Sequence, residues 1–283
     1  MAIYIDFVTD PYAAPGSKTA MLFFYSGLVP IRGRLGNPYI LRGKFMHRNE
    51  NTGTMVLEQV RSQAATLFLA KVFHWMAIGL GLTGLTAFGV ASSATLQQIV
   101  FGNQLLFFAL IIGQLGLVIY LSARIEKMSA RIATNLFLVY SVLTGLTLSA
   151  LLLLYTGTSV ASTFFITGGM FVSMAVYGTV TKKDLTSMGS FLFMGLVGMI
   201  IASLVNIFIG SSMVSWVVSG IGVIVFTGLT AYDVQRITQI GGAGIMESGQ
   251  AAIQKGAIMG ALALYLDFIN LFIHLLRFLG DRR

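Results

Sequence analysis

The stretch that decides the fold is ALYLDFINLFIHLLRF, residues 263–278, an apolar run with a carboxylate in its middle. On both sides of Asp267 stand leucine, isoleucine, phenylalanine and tyrosine, which are side chains that face lipid or a dry core. A carboxylate at the centre of a membrane helix costs about 2.5–3.5 kcal/mol on insertion scales. We therefore expect Asp267 to have a function that needs a charge or a proton at that place.

The composition of the whole chain indicates a membrane protein. Of its 283 residues, 56% are hydrophobic and only 10% are charged, whereas about 25% of a soluble globular protein is charged. Too few polar side chains remain to cover a surface that faces water. The chain contains no cysteine, which excludes disulfides, thiolate metal sites and a cysteine nucleophile.

Seven apolar runs have about the 20 residues that a membrane-spanning helix requires. They lie at 72–91, 105–123, 132–154, 159–180, 189–210, 213–235 and 256–279. We therefore predict an all-α fold, a multi-pass membrane bundle of seven transmembrane helices that occupies residues 51–283. Residues 1–50 contain all four prolines and have no sustained period. We expect them to be an N-terminal extension, either a tail or sequence upstream of a start at Met46 or Met55.

The connections between the spans sort by charge. Loops 92–104, 155–158 and 211–212 contain no lysine or arginine. The alternate connections carry Arg124, Lys127, Arg131, Lys182, Lys183, Arg236 and Lys255. By the positive-inside rule the N-terminus is cytoplasmic. The net charge of +8 is spread over tails and short loops, so we expect no nucleic-acid partner.

The C-terminus leaves two arrangements open. Seven full spans place it outside, although it carries Arg277, Arg282 and Arg283. The alternative is a last helix that re-enters the membrane or ends inside. We favour seven full spans.

The last span has one polar face. Four of its polar residues are separated by three, four and three positions: Asp267, Asn270, His274 and Arg277. That spacing places them on one side of a helix. Toward the start of the helix the same side carries Gly256 and Gly260, a G-x-x-x-G pattern that permits close helix packing. We predict that this side points into the bundle and that the last helix is central.

Asp233, near the end of the sixth span, is the expected partner of Asp267. The two spans are consecutive and antiparallel, so their carboxylates reach a similar depth if the sixth span is tilted or continues as a helix. Two carboxylates that are close together in a low dielectric do not both ionise easily, and such a pair shares a proton. Carboxylate oxygens are also ligands for Ca²⁺. Asp233 and Asp267 are therefore our candidates for a proton sensor and for transient Ca²⁺ contacts.

Each candidate also has a structural interpretation. Asp233 could be an interfacial carboxylate paired with Arg236, and Asp267 a structural hydrogen-bonding group. Asn270 is either a helix-packing residue or an ion ligand, and His274 either packs in the core or tunes the proton affinity of the pair. Arg124 is either an anchor at the membrane surface or a gate that closes onto Asp233.

No catalytic motif is visible in the sequence. GLGLTG, residues 79–84, fits the dinucleotide pattern G-x-G-x-x-G, but it lies inside a predicted span and lacks the strand and acidic residue that a nucleotide site needs. We interpret its glycines as helix-packing residues. Without a nucleophile–base arrangement, we expect that the protein is not an enzyme and has no cofactor.

Three segments resemble a known family. ALYLDFINLFIHLLRFLG at 263–280 resembles the terminal signature of the Bax inhibitor family, also called the transmembrane Bax inhibitor motif family. AYDVQRI at 231–237 and LSARIEKMS at 121–129 are similar to segments of the same family, and the similarity covers about residues 55–280. The resemblance implies a seven-helix bundle with a central last helix that acts as a pH-sensitive calcium leak. It also implies a di-aspartyl proton sensor at Asp233 and Asp267, with Arg124 as the arginine that bridges to the pair when the cytoplasmic side is closed.

Our expectation for function is therefore a pH-sensitive calcium-leak channel in a bacterial inner membrane. Its partners are then the lipid bilayer, H⁺, and Ca²⁺ as the transported ion. The alternative is a membrane regulatory protein that binds a membrane protease or a cell-death or stress factor. A proton-coupled transporter is a third option.

Overall fold

The computed structural model describes residues 50–245 and 248–283. The described chain forms eight α-helices: α1 (Glu50–Ala91), α2 (Ala94–Phe101), α3 (Gln104–Arg124), α4 (Ala130–Leu154), α5 (Gly157–Val180), α6 (Thr186–Ile209), α7 (Ser212–Gly242) and α8 (Gln250–Leu279). The all-α prediction is confirmed. The predicted extension 1–50 lies, except for its last residue, outside the described residues.

Seven of these helices are long and apolar enough to cross a membrane, all but α2. The seven predicted spans are confirmed, although three helices run further than their apolar cores. α1 is apolar enough to span from Leu57, α7 extends to Gly242 and α8 begins at Gln250. The extra turns of α1 and α7 pack against each other, and Gly241 of α7 lies against the backbone of Ala65 in α1. Contact between helices therefore lengthens them beyond what hydropathy alone predicts.

α2 was not predicted, since its residues were assigned to an uncharged loop. The Ser93 hydroxyl accepts a hydrogen bond from the Leu96 N–H and caps the first turn. Val100 is the buried residue of this short helix. The serine cap pairs one of the free N–H groups of the first turn and so favours a helix in this connection.

α8 is the central helix, as predicted. In its most apolar segment 89% of the residues are buried inside the protein, against 17–39% for the other six spans. It packs against α1, α4, α5 and α7. The helix is apolar on nearly all sides because protein surrounds it on nearly all sides.

Glycines bring the helices around α8 into close contact. A Cβ on Gly260 would lie 3.0 Å from the side chain of Val72 in α1, and one on Gly256 would lie 3.3 Å from the ring of Phe68. The predicted G-x-x-x-G packing surface is therefore present. In the GLGLTG segment only Gly79 has this role, since a Cβ there would lie 2.6 Å from the Phe137 ring of α4.

The three basic connections meet at one end of the bundle, which we call the basic end. The Lys255 ammonium of α8 donates a hydrogen bond of 2.9 Å to the Glu126 carbonyl in the α3–α4 connection. The Gln235 side chain of α7 binds the α5–α6 connection. The remaining connections, α4–α5 among them, lie at the opposite end.

The C-terminal tail closes the opposite end. The Thr156 N–H donates to the Asp281 carbonyl, and the Arg283 N–H donates to the Leu154 carbonyl, each at 3.0 Å. The guanidinium of Arg282 lies 5.9 Å from the centre of the Tyr155 ring. The tail thus pairs with the α4–α5 turn, so α8 runs from the basic end to the opposite end without re-entering.

We predict that Gly145→Ala destabilises the protein. The new Cβ would lie 2.6 Å from the backbone carbonyl oxygen of Thr83, and overpacking of this kind costs about 1–3 kcal/mol. The thermal unfolding midpoint of the detergent-solubilised protein should fall.

Gly113→Ala on α3 is the matched control. Gly113 is exposed and a Cβ there meets nothing within 4 Å, so the better helix former should leave the midpoint unchanged or raise it slightly. Equal effects of the two substitutions would contradict the close α1–α4 contact.

Candidate functional site: a buried carboxylate pair

Asp267 lies at the centre of α8 with none of its surface exposed. Neither of its carboxyl oxygens accepts a hydrogen bond from an N–H or hydroxyl group in the described part of the chain. An isolated ionised carboxylate in such surroundings is strongly unfavourable. Asp267 therefore requires either a proton or a cation beside it.

Asp233 of α7 supplies the facing group. It is only 3% exposed, and its carboxyl group is close enough to that of Asp267 for a direct hydrogen bond and for electrostatic interaction. Two carboxyl groups can hydrogen-bond only when one of them carries a proton. The structure thus brings the two candidate residues together, in an arrangement that favours one shared proton over two negative charges.

α7 continues as a helix well beyond Asp233. α7 continues to Gly242, which places Asp233 about 14 Å from the end of its helix at 1.5 Å per residue. The other interpretation from sequence, an interfacial carboxylate paired with Arg236, stays a prediction.

Gln235 fixes the helix segment that carries Asp233. The Leu185 N–H donates to its Oε1 at 2.9 Å, and its Nε2 donates to the Lys183 carbonyl at 2.8 Å. Both partners belong to the α5–α6 connection. We call these two hydrogen bonds the clamp, and beside the clamp lies an open cleft of about 410 Å³ whose wall includes Thr238. Sequence analysis did not single out Gln235, although it stands two residues after Asp233.

Asn270 and His274 lie on the α7 side of α8 but do not bind the carboxylates. The Asn270 side-chain amide donates to the Leu266 carbonyl of its own helix at 2.8 Å. The His274 ring stacks on the Phe226 ring of α7, with centroids 5.6 Å apart and an interplanar angle of 22°. The structure therefore shows both side chains in packed positions, and a role in ion passage or in tuning the pair stays a prediction.

Arg124 is not brought to the pair. It is exposed at the end of α3, a helix that packs mainly against α4. Its guanidinium makes no ion pair or hydrogen bond with residues in the described ranges. Its role as a gate that closes onto Asp233 stays a prediction.

A hydroxyl network on the other side of α8 was missed by sequence analysis. The Tyr265 hydroxyl lies 2.7 Å from the Thr83 hydroxyl of α1, and Thr83 in turn donates to the Ser141 carbonyl of α4 at 2.8 Å. All three residues are buried. The network joins three helices that are far apart in sequence, so no local spacing predicts it.

The pair is not a closed metal site. Over residues 50–245 and 248–283 no group of three or more histidine or acidic side chains could hold a metal ion. Ca²⁺ takes six to eight oxygen ligands. Asp233 and Asp267 can therefore provide contacts for a passing cation rather than a complete coordination shell.

We predict that Gln235→Leu destabilises the protein, because it leaves the buried Leu185 N–H without an acceptor. A buried donor that loses its partner costs about 1–3 kcal/mol. Thermal unfolding in detergent measures the effect.

Gln239→Leu is the control, since Gln239 is exposed one turn further along α7. This substitution should leave the unfolding midpoint nearly unchanged. If both glutamines behaved alike, the clamp on the α5–α6 connection would not be stabilising.

The fold and the site together define a class: a multi-pass membrane protein with six spans around a central helix that contributes to a buried carboxylate pair. The profile of the family described as "Inhibitor of apoptosis-promoting Bax1" matches residues 65–283. The chain therefore belongs to the Bax inhibitor family, as the resemblance in the sequence indicated.

Relatives in several bacteria are similar over most of their length. The inner membrane protein YbhL of Escherichia coli (strain K12) is 50% identical over 216 residues, which are 76% of this chain and 92% of YbhL. A protein of Borreliella burgdorferi is 49% identical over the same shares of the two chains. A protein of Deinococcus radiodurans is 43% identical over 240 residues, 85% of this chain and 99% of its own.

Proposed function

We propose that the protein is a pH-sensitive calcium-leak channel whose proton sensor is the pair Asp233 and Asp267. The observation that carries this proposal is the contact between two buried carboxyl groups, one of which receives no N–H or hydroxyl hydrogen bond from the described chain. Removal of the shared proton creates two negative charges in a medium of low dielectric, where their repulsion is large. Either α7 moves away from α8 or a cation enters between them.

The same event links proton release to calcium passage. A deprotonated pair offers up to four carboxylate oxygens to a divalent cation. These ligands are too few to trap Ca²⁺, so an ion that enters can leave again, which is the condition for conduction. In this mechanism the protein acts as a passive pathway for Ca²⁺ and is neither an enzyme nor dependent on a cofactor.

We place the protein in the inner membrane of a bacterium with its N-terminus in the cytoplasm. The printed name of the E. coli relative supports the inner membrane. The orientation is supported by the lysines and arginines at the basic end of the bundle, since cytoplasmic connections carry an excess of positive charge.

We predict that Asp233→Asn and Asp267→Asn abolish the pH dependence of Ca²⁺ flux. An asparagine has the shape of a protonated aspartate but cannot release the proton. Each variant should therefore conduct at every pH at the level that the unsubstituted protein reaches at low pH. The measurement is Ca²⁺ flux into liposomes that contain the purified protein, between about pH 5 and pH 8.

Asp184→Asn is the matched control for these variants. The hydroxyl and backbone N–H of Thr186 donate to the Asp184 carboxylate at 2.6 and 2.9 Å, and these bonds hold the pKa of that carboxyl below its usual value. Asp184 is thus ionised throughout the tested range. Its substitution should leave the pH profile intact, and a profile that survives both substitutions in the pair would refute the sensor.

The alternative function is that of a regulatory protein that binds a membrane protease or a cell-death or stress factor. The family's description as an inhibitor supports it. Deletion of residues 1–50 separates the two functions. Loss of co-purification with a membrane-bound protease, at unchanged Ca²⁺ flux, would favour regulation through the N-terminal segment.

A further inference from the structure

Three buried polar side-chain atoms lack a hydrogen-bond partner from an N–H or hydroxyl group within the part of the chain that the structure describes. They are the two carboxyl oxygens of Asp267 and Nδ1 of His274. Both residues lie on the side of α8 that meets α7, two helical turns or about 10 Å apart. Buried polar atoms in proteins are nearly always paired, so their concentration along one helix–helix contact marks that contact as unusual.

Among the residues described, the other side of α8 has no such atoms. There Tyr265, Thr83 and Ser141 form a closed hydrogen-bonded network between α8, α1 and α4. On the α7 side, by contrast, Asp267 has only the facing Asp233 carboxyl group and His274 Nδ1 has no partner in the described chain, so this side of α8 offers polar groups that water or an ion could bind.

His274 lies between the carboxylate pair and the opposite end of the bundle. It stands about 8 Å from the end of α8 at Leu279, at 1.5 Å per residue. A Cβ on Gly222 of α7 would lie 2.5 Å from the imidazole. The ring therefore fits into a recess that exists only because residue 222 is a glycine. One face of the ring stacks on Phe226.

Beside the Phe226 ring, small and polar residues of α7 and α8 line this side of the contact. Ser219 lies one turn before Gly222 on α7 and is 2% exposed, and Asn270 of α8 lies between Asp267 and His274 and is 4% exposed. We call Ser219, Gly222, Asn270 and His274 the outer seam. It is a strip of small and polar groups that leads from the pair toward the opposite end.

We propose that the outer seam is the water-accessible path between the carboxylate pair and the opposite end, and that the imidazole of His274 is its constriction. The imidazole is held in the recess by stacking on Phe226 and not by a hydrogen bond. It can therefore rotate out of the recess without breaking a hydrogen bond. Its nitrogens provide polar contacts for water and cations that pass. The assignment of Ca²⁺ to this path rests on the proposed function, whereas its access to water does not.

Cysteine labelling tests the access to water, and the chain is suited to it because it contains no cysteine. Single-cysteine variants Ser219→Cys, Asn270→Cys and His274→Cys are exposed to a charged methanethiosulfonate reagent in native membranes. The reagent reacts with thiolates, which form only where water reaches the sulfur. Each variant is first checked for a monodisperse elution profile, which shows that it folds.

Two control variants place the cysteine where the proposal expects no access to water. Ile224→Cys lies on α7 beside the recess but points away from the bundle, with 70% of the isoleucine exposed to the surroundings. Ser141→Cys is buried on the satisfied side of α8. We expect the outer-seam cysteines to react at least about tenfold faster than both controls. Equal rates at the seam and control positions would overturn the proposal.

Flux measurements test the constriction. His274→Ala removes the ring and should raise Ca²⁺ flux several-fold, whereas His274→Phe keeps a stacked ring without nitrogens and should lower it. Both should retain the pH profile, because the carboxylate pair is intact. Wild-type flux in both variants would overturn the role of His274 as the constriction. If the unsubstituted protein shows no flux, the calcium-leak function is refuted, and the labelling rates alone then decide whether the outer seam is a path for water.

Discussion

The contact between Asp233 and Asp267 is the constraint on which the architecture depends. A carboxylate inside a hydrocarbon layer is tolerated only where protein surrounds it and a partner neutralises it. This requirement explains why the most enclosed helix of the bundle is the one with Asp267 at its middle. α7 continues as a helix beyond Asp233 to Gly242, so the segment that carries Asp233 is regular helix packed inside the bundle and not a helix end.

Close helix packing makes that contact possible. Gly241 lets α7 approach α1, Gly222 accommodates the His274 ring, and Gly260 lies against both α1 and α7. In a membrane, helices gain little from hydrophobic burial, and small residues allow the van der Waals contacts that hold them together. These glycines cannot be told apart from the other glycines in the sequence, but in the structure they lie where α7, α8 and α1 meet.

The features that could be predicted from the sequence are those with a local signature. Hydropathy marks the seven spans, and helical spacing places Asp267, Asn270 and His274 on one side of the last helix. The clamp made by Gln235 and the hydroxyl of Tyr265 could not be predicted, because each depends on partners at least 50 residues away along the chain. Such contacts follow from how helices are arranged around one another, which neither periodicity nor propensity encodes.

The two ends of the bundle restrict where α7 and α8 can separate. At the opposite end the C-terminal tail pairs with the α4–α5 turn, through Thr156 and Asp281. At the basic end Gln235 holds α7 to the α5–α6 connection, and Lys255 holds α8 to the α3–α4 connection. Between these attachments α7 and α8 meet through a cluster of buried apolar side chains, stacked rings, a glycine recess and two facing carboxyl groups. A change in the protonation of the pair therefore acts directly on the contact between α7 and α8, at a place between the two sets of attachments, while the Tyr265 side of α8 stays joined to α1 and α4 by its hydroxyl network.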